Sequence, residues 1–452
     1  MLETRLRELH QERLADLIKS DADYIKKDQI EADLDAFDPA VVKNLVNGLG
    51  MYSPLEGEIE PVEIIPAGFA STAQAGPYYA SGEKLLSEGK IAVVVVAGGQ
   101  GSRLGISVPK GAVEVSPLKH KSLFQIHSEK ILALKNRYGA PVHFFIMTSR
   151  ANDKDTKTFL AQNKYFGLPQ NEVHFFIQGM LPSFNPDKGF VLSQTGGIFM
   201  NPDGHGGTFA ALRRNGCIKL MKSLGIEELF YFQVDNPIVK ICDPLFIGLH
   251  REKAAQMSSK ILKKRNPEEK VGVIAKTGGK TCVVEYSDMP QNLLYAKDKN
   301  GDMLYWAGSI AIHMINVAFA DRITSEGFSI PFHKAVKKIQ TIDEFGRPLE
   351  ISGIKYEGFV FDALPLTASS VTLEVRREDE FAPVKNATGE DSLESSKQMQ
   401  SDLHKSWLND AGLMIPSNAV IEISPLFALD AGDVKRRVLE ISRLTDKNIY
   451  IE

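Results

Sequence analysis

The stretch that most limits how this chain can fold is Ile91-Ala-Val-Val-Val-Val-Ala-Gly-Gly-Gln-Gly-Ser-Arg-Leu-Gly105, followed by Val108-Pro-Lys-Gly111. Seven apolar residues, Ile91 to Ala97, run without a break into a glycine-rich turn. Such a run reads as a buried strand, and it is far shorter than the ~20 residues that cross a bilayer. No membrane span is expected. The glycines let backbone N–H groups approach an anion with no Cβ in the way. Arg103 and Lys110 add positive charge suited to a polyphosphate. Two familiar phosphate loops fail on spacing. A dinucleotide fingerprint from Gly99 or Gly101 needs a glycine where Leu104 or Ile106 stands, and a P-loop needs Ser or Thr after its lysine, where this chain has Gly111. A glycine-rich strand end without a ligand is the plain alternative for the loop taken alone.

From about residue 90 onward, short apolar runs alternate with helical patterns. Strands are expected at 91–97, 142–148, 173–178, 229–235, 271–275 and 281–286, and helices at 122–138 and 207–224. That alternation predicts an α/β fold with a mostly parallel sheet covered on both faces. Before it, Leu2, Leu6, Leu9, Leu14 and Leu17 recur at helical spacing, so residues 1 to about 50 read as helical. Pro54, Pro61, Pro66, Gly68, Gly76 and Pro77 make residues 51–80 an irregular linker. After Arg376 the texture changes again: a polar loop at 385–396, a helix near 396–410, and apolar pieces at 420–425 and 438–441. The expected division is therefore 1–80, a helical module and linker; 81–375, a catalytic domain; and 376–452, a C-terminal module.

Composition narrows the function classes. With 43% hydrophobic and 24% charged residues, the chain is an ordinary globular sequence and not a disordered one. Its 53 basic and 57 acidic side chains leave a net charge of −4, so a broad nucleic-acid face is not expected, while a local anion pocket is allowed. The first ten residues are charged and lack a signal peptide's apolar core. Cys217, Cys242 and Cys282 are odd in number and far apart, which fits a reducing, cytoplasmic setting.

Ala97-Gly-Gly-Gln-Gly-Ser-Arg-Leu-Gly105 with Pro109-Lys110-Gly111 resembles the signature loop of nucleotide-sugar pyrophosphorylases, in the form of the eukaryotic-type UTP-dependent family. That family includes the UDP-N-acetylglucosamine and UDP-glucose enzymes. The resemblance continues in order through Gln178-Gly-Met-Leu-Pro182, Asn201-Pro-Asp-Gly-His-Gly-Gly207, Gln233-Val-Asp-Asn236, Val271-Gly-Val273 and Val284-Glu-Tyr-Ser287. It closes with Gly353-Ile-Lys355, Phe359-Val-Phe-Asp362 and the stretch Arg377 to Asn386. It implies a Rossmann-like (GT-A-like) α/β fold with a mixed, mostly parallel sheet, helices on both faces and small terminal modules. The implied reaction joins UTP and a sugar-1-phosphate into a UDP-sugar and releases pyrophosphate, with Mg²⁺ as cofactor.

By the same resemblance, Ala97, Gly98, Gly99 and Gly101 would hold UTP, and Arg103, Lys110 and Lys385 would face its phosphates. Asp235, ending a strand-like run, suits Mg²⁺, which takes one or two carboxylates and fills its shell with water and phosphate oxygens. The plain alternative is that it caps the turn before Asn236-Pro237. Gln178, Met200, Asp203 and Gly204 match nucleoside-pocket positions, and an amide at 178 offers the donor and acceptor that a uracil edge demands. Gly272, Glu285 and Tyr286 match sugar-hydroxyl contacts, Lys355 a contact to the sugar phosphate, and Phe359 and Phe361 an aromatic wall. Alternation at 359 and 361 equally describes a half-buried strand. Two positions depart from the N-acetylglucosamine pattern: His205 and Ser309 each stand where an asparagine is usual. The acceptor sugar is thus open between N-acetylglucosamine and glucose. A non-catalytic nucleotide-sugar binder, a broader-specificity UDP-sugar pyrophosphorylase and a dehydrogenase are the competing readings; the last fails on Leu104 and Ile106. No oligomeric state follows from the sequence.

Overall fold

A computed structural model describes residues 1–54, 56–101, 104–105, 108–325, 330–343, 345–441 and 444–452. The chain forms two compact units, one of Met1–Glu56, Gln178–Gly216 and Asp321–Ala363, the other of Gly57–Ile177, Cys217–Ala320 and Leu364–Glu452. The units interleave along the sequence and so do not follow sequential boundaries at 80 and 375.

The larger unit is built on a mixed sheet, ten-stranded among the described residues. Ile91–Val96 lies inside it, parallel to His143–Thr148 on one side and to Glu228–Gln233 on the other. Val173–Ile177 extends the parallel part. Ala307–Asn316 runs antiparallel to Glu228–Gln233 and leads on to Val273–Thr277 and then Ile59–Pro61. Off this path, Lys280–Val284 pairs with Val273–Thr277, while Met257–Lys263 joins Ala307–Asn316 to Thr372–Glu374. Ile91 through Val95 are all buried, as an unbroken β-branched run requires. The helix Leu123–Tyr138 begins at Ser122, whose side chain accepts from the Gln125 N–H, and ends at Gly139 with φ 71°. Its Leu123, Phe124, Ile131 and Leu134 share one core with Val93, Val95, Phe144 and Phe232. At the C-terminal end, Leu393–Asp410 starts in a capping box at Ser392, and Val420–Ile423 pairs in parallel with Asn448–Ile451 around a separate core.

The smaller unit holds the expected N-terminal helices, Leu2–Glu8, Glu12–Lys19, Lys27–Leu34 and Pro39–Val46. They share a core with Leu181, Phe184, Phe190, Ile198, Phe332 and Ile354. The last two of these belong to an antiparallel hairpin, Phe332–Ile342 with Pro348–Gly358.

Four local expectations change. The linker at 51–80 contains the strand Ile59–Pro61 and the start of a helix, Gly76–Ser87, because Pro77 occupies a first-turn position where a missing N–H costs nothing. The helix expected over 207–224 is two, Thr208–Arg214 and Cys217–Ser223, broken where Gly216 takes φ 75°. The strand expected at 281–286 ends at Val284. The apolar piece at 438–441 is one 3₁₀ turn, Val438–Glu440. Among the described residues, no helix is long and apolar enough to cross a membrane.

Candidate active site

In the larger unit the glycine turn leaves the end of the Ile91–Val96 strand. Asn152, buried just before the helix Asp153–Gln162, donates its amide to the carbonyls of Ala97 (2.8 Å) and Gly99 (3.2 Å). Gln100 bridges to Pro109, which returns the chain to Lys110. Lys110 Nζ then donates to Asp235 Oδ2 at 2.9 Å. Asp235 is 6% exposed and lies two residues past the Glu228–Gln233 strand. Burial raises the Asp235 pKa, and the charges of Lys110 and Lys385 more than offset this, so the carboxyl sits below its ordinary value. The pair is therefore a buried carboxylate held ionised by cations. Lys385 lies with its Nζ 5.1 Å from the centre of the Phe381 ring and 4.0 Å from the Asp391 carboxylate. Arg103 lies outside the described residues.

Elsewhere in the larger unit, Gly272 receives the Ser309 N–H on its carbonyl at 2.8 Å. A Cβ on Gly272 would lie 2.7 Å from Glu285 Oε1, so these three residues are neighbours. Ser309 sits where the Ala307–Asn316 strand changes register, two residues before Ala311 at φ 55°, a bulge of the kind that redirects a side chain. Tyr286 is about half exposed.

The smaller unit gathers a second group. Gln178 Nε2 donates to the Gly204 carbonyl at 2.8 Å, and its side chain also bonds Asp203. Burial pushes the Asp203 carboxyl up to about 6, against the charge of Arg214 and the Gln178 bond. Its Oδ1 has no hydrogen-bond partner among the described residues. His205 stacks on Phe359 at 5.3 Å and meets Phe361 edge-on at 5.7 Å. Its Nδ1 accepts from the Val360 N–H, while burial and the nearby His333 push the ring down to about 4. His333 continues the aromatic group, stacked on Tyr52 at 3.9 Å and bonded to Asp362 at 2.9 Å. Met200 lies on a short strand opposite Pro182, and Lys355 on the hairpin opposite Ala335, its Nζ 5.9 Å from the centre of the Phe199 ring.

The profile of the family described as UTP--glucose-1-phosphate uridylyltransferase matches residues 72–449. The chain belongs to this family. It is 36% identical over 361 residues to the UDP-N-acetylglucosamine pyrophosphorylase of Saccharomyces cerevisiae, covering 77% of this chain and 76% of that protein. UDP-N-acetylglucosamine diphosphorylase 1 of Arabidopsis thaliana is 33% identical over 440 residues, 91% of this chain and 84% of the relative. The crystal structure of the uridine diphosphate N-acetylglucosamine pyrophosphorylase from Trypanosoma brucei in complex with inhibitor has a TM-score of 0.87 at 25% identity, covering 100% of this chain and 97% of that one.

Of the residues singled out in the sequence of this family member, the fold brings Ala97, Gly99, Lys110, Asp235 and Lys385 into one neighbourhood of the larger unit, and Gly272, Glu285 and Ser309 into another contact group there. Gln178, Asp203, Gly204, His205, Phe359 and Phe361 form connected contacts in the smaller unit. Sequence reasoning missed Asn152, Asn236, His333 and Asp362. They act through individual polar contacts, most of them to residues distant in the chain, which leave no periodicity or spacing to read.

Proposed function

We infer that this chain is an enzyme of the nucleotidyltransferase class, a uridylyltransferase that makes a UDP-sugar and pyrophosphate from UTP and a sugar-1-phosphate. Family membership supports the reaction class. One observation carries the reading of the site: Lys110 paired with the buried Asp235 carboxylate beside a glycine turn where a Cβ on Gly99 would meet nothing within 4 Å among the described residues. In this reaction a sugar-phosphate oxygen attacks the α-phosphorus of UTP, and the bond to the β-phosphate oxygen breaks as the new P–O bond forms. The attacking group is already anionic, so catalysis comes from positioning and charge neutralisation.

In this reading the backbone of Ala97, Gly98, Gly99 and Gly101 holds the triphosphate, Arg103 and Lys110 face the phosphates, and Lys385 faces the α-phosphate. Gln178 matches the uracil edge, with Met200, Asp203 and Gly204 against the nucleoside. Gly272, Glu285, Tyr286 and Ser309 address the sugar, His205, Phe359 and Phe361 pack on it, and Lys355 takes its phosphate. Asp235 suits Mg²⁺, because it is a buried carboxylate kept ionised. Mg²⁺ needs one or two carboxylates and completes its shell with water and phosphate oxygens, so a single ionised Asp235 would serve as its protein ligand. When bound, Mg²⁺ supplies charge neutralisation on the phosphates. The three cysteines are buried and far apart in sequence, which supports a cytoplasmic setting.

We propose N-acetylglucosamine-1-phosphate as the sugar substrate, the sugar named in the relatives above. His205 and Ser309 favour glucose-1-phosphate as a second reading. Pyrophosphate release from UTP and Mg²⁺ with each sugar-1-phosphate separates them. We expect kcat/KM at least about 10-fold higher with the N-acetyl sugar, a margin one well-placed hydrogen bond can supply. The reverse ratio transfers the assignment to glucose, and no release with any hexose-1-phosphate makes the chain a nucleotide-sugar binder.

A further inference from the structure

The turn that carries Asp235 is tied to the segment that carries Lys385, and one side chain makes two of the three ties. The Asn236 amide Nδ2 donates to the Glu380 carbonyl at 2.6 Å, and its Oδ1 accepts from the Ala382 N–H at 3.1 Å. Between them they occupy both ends of a carboxamide that is 5% exposed. The third tie is backbone: the Val384 N–H donates to the Asp235 carbonyl at 2.9 Å. Residues 380, 382 and 384 are thus pinned in succession, and Lys385 is the next residue.

The same segment is anchored from behind. Both Glu380 carboxylate oxygens accept from Lys260 Nζ at 2.7 Å, and Lys260, fully buried in the Met257–Lys263 strand, also donates to Asp243 at 2.9 Å. A buried ammonium with three carboxylate bonds is strongly held, so Glu380 is a fixed post. From that post to Lys385 the hydrogen bonds to the Asp235 turn among the described residues are the two of the Asn236 side chain and the one from Val384 N–H. Buried amides paired at both ends are costly to disturb and set one geometry.

We propose that Asn236 is a positioning residue for Lys385: its carboxamide fixes residues 380–384 on the Asp235 turn and so sets where the Lys385 ammonium stands relative to the Asp235 carboxylate. The inference rests on the uridylyltransferase reading above, in which Lys385 faces the α-phosphate.

A double-mutant cycle tests it. Turnover with saturating UTP, Mg²⁺ and N-acetylglucosamine-1-phosphate is measured for the natural chain, Lys385→Ala, Asn236→Ala and the double variant. Lys385→Ala should lower kcat about 100-fold in the natural chain, the scale of one lost transition-state cation. Asn236→Ala should lower it about 10-fold or more, because a misplaced group loses much of its effect. In the Asn236→Ala background, Lys385→Ala should then cost about 10-fold or less. An equal factor in both backgrounds would mean that Asn236 serves stability alone and would overturn the proposal; so would a Lys385→Ala variant with normal turnover. If Asn236→Ala does not fold, Asn236→Leu replaces it, since this keeps the volume of the buried side chain, adds no charge and removes both ties, to Glu380 and to Ala382. The same reduced cost of Lys385→Ala is expected there. A natural chain inert with every hexose-1-phosphate overturns the uridylyltransferase reading itself, and the proposal with it.

Discussion

Two glycine-rich turns, 98–101 in the larger unit and 204–207 in the smaller, look alike in sequence and differ in what surrounds them. A Cβ placed on Gly99 would meet nothing within 4 Å among the described residues. On Gly204, already at φ 82°, it would lie 2.4 Å from the Gly358 carbonyl oxygen, and on Gly207 only 2.0 Å from Asp203 Oδ1. The second turn needs its glycines to pack against the hairpin end and to enclose a buried carboxyl. The first does not need Gly99 for packing, and the space it keeps is suited to a ligand. Gly111, in the same sequence signature as Gly99, behaves like the second turn, since its Cβ would lie 2.2 Å from the Phe124 ring. Glycine in a motif therefore marks close approach, and only the neighbours tell whether a ligand or the protein itself is approaching.

The sharpest way to break this contrast is Lys110→Ala. Loss of the cation beside the open turn should cut turnover about 100- to 1000-fold with far-UV circular dichroism unchanged. Near-normal turnover would strip the first turn of its phosphate role.

In the second turn the expected effect is on stability. The Asp203 carboxyl titrates at about 6 when folded and near ~3.9 when unfolded, so the folded chain holds its proton more tightly. Its stabilising contribution is full below about pH 4 and is lost as pH rises through 6. Asp203→Asn removes that dependence. Its stability relative to the natural chain should therefore grow by roughly 2 kcal/mol between pH 4 and pH 7, read by urea unfolding at each pH. A difference that stays flat would mean the carboxyl is already ionised in the fold.

Gly207→Ala and Gly99→Ala compare the turns directly. The first should destabilise by about 1–3 kcal/mol through overpacking against Asp203. The second should change stability by no more than about 0.5 kcal/mol while raising the KM for UTP. Equal losses of Tm in both would erase the distinction.

The smallest effect is expected at Gln178→Ala. One hydrogen bond to the base is worth about 10-fold in preference for UTP over CTP. Unchanged preference would place the reading of uracil at another residue.

Legibility in the sequence followed the kind of burial. Ile91–Val96 was readable because a strand buried on both faces is apolar without interruption, and His143–Thr148 and Val173–Ile177 because each holds an apolar run, 144–147 and 175–177. Met257–Lys263 was not, because Lys260 sits fully buried in its middle, neutralised by Glu380 and Asp243 from 120 and 17 residues away. Ala307–Asn316 was hidden by its register change and by the buried His313. The hairpin Phe332–Ile342 with Pro348–Gly358 escaped because five of the eleven residues of its first strand are exposed, three of them lysines. At the site, Lys110 stood out through its motif, whereas Asn152 lies in none and Asn236, although within Gln233-Val-Asp-Asn236, binds partners 144 and 146 residues away.

Local order in the chain determined the strand at 91–96, the turn after it, and the presence of cations near it, because hydrophobic periodicity and glycine placement act between neighbours. That Lys110 meets a carboxylate 125 residues later was decided by tertiary structure. So was the return of the 380–385 segment to the same turn. Such contacts depend on which strands lie side by side and on which buried polar groups find partners, and packing of the whole unit settles both.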